Sequence, residues 1–262
     1  MCIIAWITQP NNDYKLILIA NRDESYIRPT ANSHFWTEKN IIAGEDLLYH
    51  GTQLAVNLNG KIAVLTNLAP EKNDNPNTLT RGLLTVNYFE SDDMKSYAET
   101  IQDVKYMPYN LLLGDIVENK YTMSYSKYNG DKNTLLESGK IYVLENKGLF
   151  DHVERSDVVK GMFEEIVRKE MTEEEMIKRL FGLLNDECAF RLYLDKNYGT
   201  RTQTIILIGK DNKVSFIERS LWLDSLEDIN EIVMDNMTYK TQIINNERGP
   251  WTENWFEFTI KN

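Results

Sequence analysis

Cysteine is almost absent: Cys2 and Cys188 are the only two in 262 residues, too few for a disulfide framework or a cysteine-rich metal knuckle. Histidine is nearly as sparse. His34, His50 and His152 are scattered without ligand spacing, and no structural metal site is expected. No stretch approaches the roughly 20 apolar residues that span a bilayer, so no membrane span is expected. The opening MCIIAWITQPNNDY has no basic segment before its short apolar run and does not read as a secretory leader. It also lacks the arginine and serine bias of an organellar transit peptide. The expected compartment is the cytoplasm; association with mitochondria or the secretory pathway would need signals of another kind. Basic charge is in deficit too, with 29 Lys and Arg against 40 Asp and Glu and a net charge of −11. Phosphate backbones are held by clustered cations, so nucleic acid is not an expected partner. The run Glu173-Glu174-Glu175 reads as solvated helix surface.

What is present suits a packed core: 42% of residues are hydrophobic and 26% charged, as in ordinary soluble domains. There is no internal repeat, low-complexity tract or Pro/Gly/Ser linker, so a single domain over 1–262 is expected. Cys2–Ile7 and Lys15–Ala20 read as strands flanking the turn formers Thr8 to Asp13. Both are almost continuously apolar, the pattern of strands covered on two faces. Gln53–Leu58 and Lys61–Asn67 flank Asn59-Gly60, a hairpin signal. Met94, Tyr97, Ala98, Ile101 and Val104 recur at helical spacing behind Asp92-Asp93. Strand-like pieces follow at Tyr109–Asp115, Tyr121–Tyr125 and Ile141–Leu144. Val158 to Val167 presents one apolar face, and Met176 to Leu184 another, after the capping-box pattern Thr172-x-x-Glu175. Strands Thr202–Ile208, Val214–Arg219 and Trp255–Ile260 close the chain. Hairpins with helices grouped between them predict an α+β fold of mostly antiparallel sheets covered by helices.

Cys2 directly follows Met1. If Met1 is removed, one residue carries both a thiol and a free α-amine, whose ordinary pKa of about 7.7–8.0 lets it act as a base at neutral pH. Nucleophile and base then sit together. The residues alone allow another reading, a small side chain opening a core strand. Downstream, Ala20-Asn21-Arg22-Asp23-Glu24 ends the second strand. A hairpin partner would bring Asn21, Arg22 and Asp23 near Cys2, where a carboxylate can orient the amine and a guanidinium favours thiolate. A charged turn after an apolar strand fits the same spacing.

Several blocks decide between these readings. MCIIAW, ILIANRDESYIRPT, Phe35-Trp36, Ala43–Asp46, Ala63–Pro70, Arg81-Gly82, Tyr198–Leu207, Phe216–Ser220 and Glu257–Ile260 together resemble the NRDE family, also called the transport and Golgi organisation 2 family. That family in turn resembles hydrolases with an N-terminal cysteine nucleophile, which implies a four-layer αββα sandwich of two mostly antiparallel sheets. The resemblance implies Cys2 as nucleophile, Asp23 as the carboxylate beside it, Asn67 and Asn146 as active-site asparagines, and Arg201 as the supporting arginine. Asn21 and Arg22 are the implied ligand-binding pair.

Two departures separate the chain from its models. The hydrolases read Arg-Asn-x-Asp where this chain has Ala20-Asn21-Arg22-Asp23, and the family's usual Trp-Leu-Gly after Gly51-Thr52 is Gln53-Leu54-Ala55 here. The leading expectation is therefore a protein that binds or transports a hydrophobic small molecule, haem or an acyl-CoA or lipid-type ligand. The alternative is a cysteine amidohydrolase working through a Cys2 thioester. No cofactor is required by either. Haem would be a transported ligand: Cys2 or any histidine could meet iron, but no pattern selects one and there is no Cys-x-x-Cys-His site. Cys2 is expected to be more reactive than Cys188.

Overall fold

In the computed structural model, residues 2–11, 13–68, 78–102, 104–221, 231–234, 237–246 and 249–260 are described. Met1, Asn12 of the first turn, and Ala69-Pro70 of the Ala63–Pro70 block lie outside them. The first half of the chain forms β1 (Ile3–Thr8), β2 (Tyr14–Ser25), β3 (Thr30–Trp36), β4 (Ile41–Asp46), β5 (Leu54–Asn57), β6 (Ile62–Asn67), α1 (Gly82–Tyr88) and α2 (Met94–Thr100). Then come β7 (Tyr109–Val117), β8 (Lys120–Lys127), β9 (Thr134–Leu135), β10 (Ile141–Leu144), α3 (Glu154–Val167) and α4 (Glu173–Asn185). The chain ends with β11 (Leu192–Tyr193), β12 (Tyr198–Gly209), β13 (Lys213–Leu221), β14 (Glu231–Met234), β15 (Met237–Asn246) and β16 (Gly249–Thr259). Its contacts gather into two compact units, one of residues 1–27, 139–143 and 152–262, the other of residues 28–138 and 144–151.

The first unit is a sheet ordered β10-β1-β2-β12-β13-β16-β15-β14, with β11 added to β12. β1 and β2 pair antiparallel from Ile3↔Asn21 to Thr8↔Leu16, joined through the predicted turn. Alternate residues of these strands, Ile3, Ala5, Ile7, Ile17 and Ile19, meet Val159, Phe163 and Val167 of α3 and Met176, Leu180, Phe181 and Leu184 of α4. The intervening residues Ile4, Trp6, Leu16 and Leu18 are buried as well, which is why both strands read as unbroken apolar runs. Each large side chain so buried contributes roughly 1.5–3 kcal/mol. α4 starts where its capping signal places it: the Thr172 side chain accepts from Glu175 N. Glu175 turns to Arg179 instead of back to the cap, with Nε to Oε1 at 2.7 Å.

The second unit is a sheet ordered β3-β4-β5-β6-β7-β8-β9. Leu84 and Tyr88 of α1 and Met94 and Tyr97 of α2 pack on Ala63, Leu65, Tyr109, Leu111 and Leu113 of β6 and β7. The β5–β6 hairpin turns at Gly60, whose φ is 85°, while Asn57 Oδ1 accepts from the N–H groups of Asn59 and Lys61 at 3.0 and 2.9 Å. The protein is thus α+β, two antiparallel sheets each carrying helices.

Candidate functional site at the head of the first strand

Cys2 stands one residue before β1, beside the far end of β2. Asp23 N–H donates to its Sγ at 3.4 Å, and the thiol lies 3.7 Å from Asp23 O. Only 7% of Cys2 is exposed. Burial pushes the thiol pKa up, the neighbouring Asp23 pushes it further, and Arg22 works in the opposite direction. The group in this setting is a neutral thiol. The Asp23 carboxyl is also buried, and burial raises its pKa, opposed by the hydrogen bond from Thr200 and by the charge of Arg155. Thr200 Oγ1 donates to Asp23 Oδ1 at 2.7 Å. This places Asp23 against Cys2 by the hairpin register and fixes its carboxyl through β12.

The NRDE string lies inside β2 and not in a turn after it. Its ladder to β12 continues through Asn21↔Gln203, Arg22↔Thr202, Asp23↔Thr200 and Glu24↔Gly199. Between Thr200 and Thr202 the register shifts, leaving Arg201 as the extra residue of a bulge, a device that re-aims a side chain. Arg201 is buried, and its Nη1 donates to Ser25 O at 3.0 Å. Asn21, on the helix-facing side with Ile17 and Ile19, donates through Nδ2 to Leu184 O and Ala189 O at 2.9 and 3.0 Å. Its amide nitrogen is spent on holding the end of α4. Arg22 reaches Glu24 Oε2 with Nη2 at 3.4 Å. Its Nη1 is buried without a hydrogen-bond partner among the described residues.

The two asparagines implied by resemblance belong to the second unit. Asn67 ends β6 and pairs with Tyr109. Asn146 follows β10, and its Oδ1 is buried without a hydrogen-bond partner among the described residues. Sequence reading passed over Thr200, although it sits in the same Tyr198–Arg201 block as Arg201. Its task depends on strand register, which the block's composition does not reveal. Cys188 is partly exposed near the end of α4, with its thiol raised by burial and by Asp186. Among the described residues no group of three or more His, Cys, Asp and Glu is placed to hold a metal ion, and no helix is long and apolar enough to cross a membrane.

Fold and site together define an α+β protein of antiparallel sheets with a thiol at the head of a doubly covered strand and a buried carboxylate alongside. A family model described as Transport and Golgi organisation 2 matches residues 1–222, and the chain belongs to that family. The bovine Transport and Golgi organization protein 2 homolog is 32% identical over 259 residues, covering 84% of this chain and 93% of the relative. The mouse Transport and Golgi organization 2 homolog is 27% identical over 298 residues, covering 100% of both. Among solved structures, the Caenorhabditis elegans N-acylethanolamine-hydrolyzing acid amidase ortholog aligns with a TM-score of 0.49 at 10% identity, covering 79% of this chain and 92% of that one.

Proposed function

We propose that this protein binds a hydrophobic small molecule by its anionic head group, the ligand being haem or an acyl-CoA or lipid-type compound. One observation carries the reading: Arg22 Nη1 is a buried cationic donor with no partner among the described residues, beside a thiol kept neutral by burial. An unmade buried hydrogen bond costs about 1–3 kcal/mol, more for a charged group. A carboxylate or phosphate supplies the missing acceptor, and guanidinium suits both. Haem propionates, acyl-CoA phosphates and lipid carboxylates share that chemistry. Titration of hemin and of palmitoyl-CoA against wild type and Arg22→Gln tests it. The variant should bind about 10-fold or more weakly; equal affinity would remove the basis of the reading.

A second reading is a cysteine amidohydrolase, favoured by the Asp23 carboxyl that Thr200 fixes beside Cys2. It requires loss of Met1. The freed α-amine takes the thiol proton, sulfur attacks the amide carbonyl, and the amine leaves with that proton. Water then splits the thioester into acid and thiol. In this reading the Arg201 guanidinium supports the nucleophile, since a nearby cation favours the thiolate. Intact-mass measurement of Met1, followed by a panel of N-acyl amides with Met1-free protein, separates the readings. Turnover abolished by Cys2→Ala would favour the enzyme. No turnover, with ligand binding spared by Cys2→Ala, would favour the carrier.

A further inference from the structure

Three consecutive apolar residues stand in the open at one turn of the second unit. Leu47, Leu48 and Tyr49 are 45%, 52% and 57% exposed, between the end of β4 and the bridge that pairs Asp46 with Gly51. The turn is firmly built. Asp46 N–H donates to Gly51 O at 2.9 Å, and Asp46 O accepts from His50 N at 2.8 Å. Asp46 Oδ1 accepts from Leu48 N at 3.0 Å, while Leu47 N–H donates to Pro29 O at 3.1 Å. Arg28, just before β3, grips Asp46 Oδ2 with Nε and Nη2 at 2.9 and 2.5 Å. Its guanidinium carbon lies 5.5 Å from the centre of the Tyr49 ring. Glu45 Oε1 faces His50 Nδ1 at 2.8 Å. Both acids at the base of the turn therefore face a basic side chain.

We propose that the Leu47-Leu48-Tyr49 tip enters the surface of a lipid layer with zwitterionic head groups, seating the protein on a membrane without spanning it. Single exposed apolar side chains are ordinary. Three in succession, on a turn whose backbone is held by Asp46 and Pro29, are a fixed display. A stable protein interface takes about 800 Å² from each partner, more than three half-exposed side chains offer. A lipid layer demands neither that area nor a matching shape, and it rewards whatever apolar surface goes in. The order of groups also suits lipid. The leucines can reach the acyl boundary, the tyrosine ring with its hydroxyl fits the head-group level, and the Arg28 guanidinium behind it can meet lipid phosphate. Pairing of Glu45 and Asp46 with basic side chains lowers the cost of bringing them near the layer. The net charge of −11 repels an anionic surface, so the apolar tip and a zwitterionic layer go together.

Co-sedimentation of the full chain with phosphatidylcholine vesicles tests this, with a Leu47→Ser, Leu48→Ser double variant alongside. Both side chains are exposed, so the variant should melt with wild type. Wild type should pellet with the vesicles, and the variant should bind about 10-fold or more weakly. Binding should persist at about 1 M salt, where exposed charges are screened beyond roughly 3 Å. No pelleting of wild type, or equal pelleting of the variant, would overturn the proposal. Pelleting with anionic vesicles alone, abolished by salt, would overturn it too. A separate Leu48→Trp variant reads insertion directly: lipids brominated on their acyl chains should quench its fluorescence beyond any quenching seen in wild type, and no added quenching would count against the tip. Gel filtration without lipid closes the test. A wild-type dimer that the double variant turns into monomer would show that the tip meets a second copy of the chain, and the lipid proposal would fall.

Discussion

At Asp23 a carboxyl group is held away from water with a hydroxyl donor on one oxygen. Burial raises its pKa above the ordinary 3.8 despite that bond. The folded protein therefore takes up the proton more readily than the unfolded chain does. Stability from this group falls as pH rises from 3.8 through the folded value, and the ionised form opposes folding above it. Asp23→Asn keeps an oxygen for Thr200 and removes the charge. Its melting temperature should exceed that of wild type at pH 8, and the gap should shrink toward pH 4. A gap of the same size at both pH values would count against the buried charge as its cause. The same burial bears on Cys2. The Cys2 thiol is 7% exposed with its pKa raised, and the partly exposed Cys188 thiol is raised as well, so labelling with a limiting thiol reagent compares the two directly.

Among the elements, α1 meets the loop before β5 at a place where two glycines touch. A β-carbon on Gly51 would lie 2.6–2.9 Å from the backbone of Gly82. The approach is tightened by Thr52 N–H on Gly82 O at 3.2 Å and by Thr85 Oγ1 on Thr52 O at 2.5 Å. This gives the Arg81-Gly82 block a physical meaning. Gly51→Ala should cost about 1–3 kcal/mol through overpacking, measured as a lower urea midpoint with unchanged slope. Such close packing could not be read from the sequence, nor could α1 itself. Leu83-Leu84-Thr85-Val86-Asn87-Tyr88 is rich in β-branched and aromatic residues, which lean toward strand. The β1–β2 and β12–β13 hairpins were legible because each joins apolar runs across turn formers. α3 and α4 were legible because their buried residues keep helical spacing. α2 ends at Thr100, short of Val104, which is 37% exposed and had been placed on its apolar face. β2 was taken to stop at Ala20, where hydrophobicity stops, yet it runs to Ser25. Backbone bonds to β12 carry it through polar side chains, and such bonds leave no trace in composition. The pairing of Cys2 with Asp23 was legible from the hairpin; the bulge at Arg201 was not.

For the molecule as a whole, the charge is −11, so the anionic ligand proposed above would depend on local cations such as Arg22. Chain order matters more to how the protein comes into being. β2 lies between β1 and β12 in the sheet, and Thr200 reaches an Asp23 that precedes it by 177 residues. A ribosome adding about 5–20 residues per second needs roughly 10–35 s to cover that distance. Throughout that interval the apolar edge of β2 is on a growing chain whose partner strand has yet to be made. Nascent chains halted before Tyr198 should bind chaperones and be cut readily by protease, whereas chains released after β13 should resist. Equal resistance in both would show that the first hairpin needs no β12. The strand that carries the motif is thus made long before the neighbour that shelters it, which makes translation speed, and not only sequence, a determinant of how much folded protein a cell obtains.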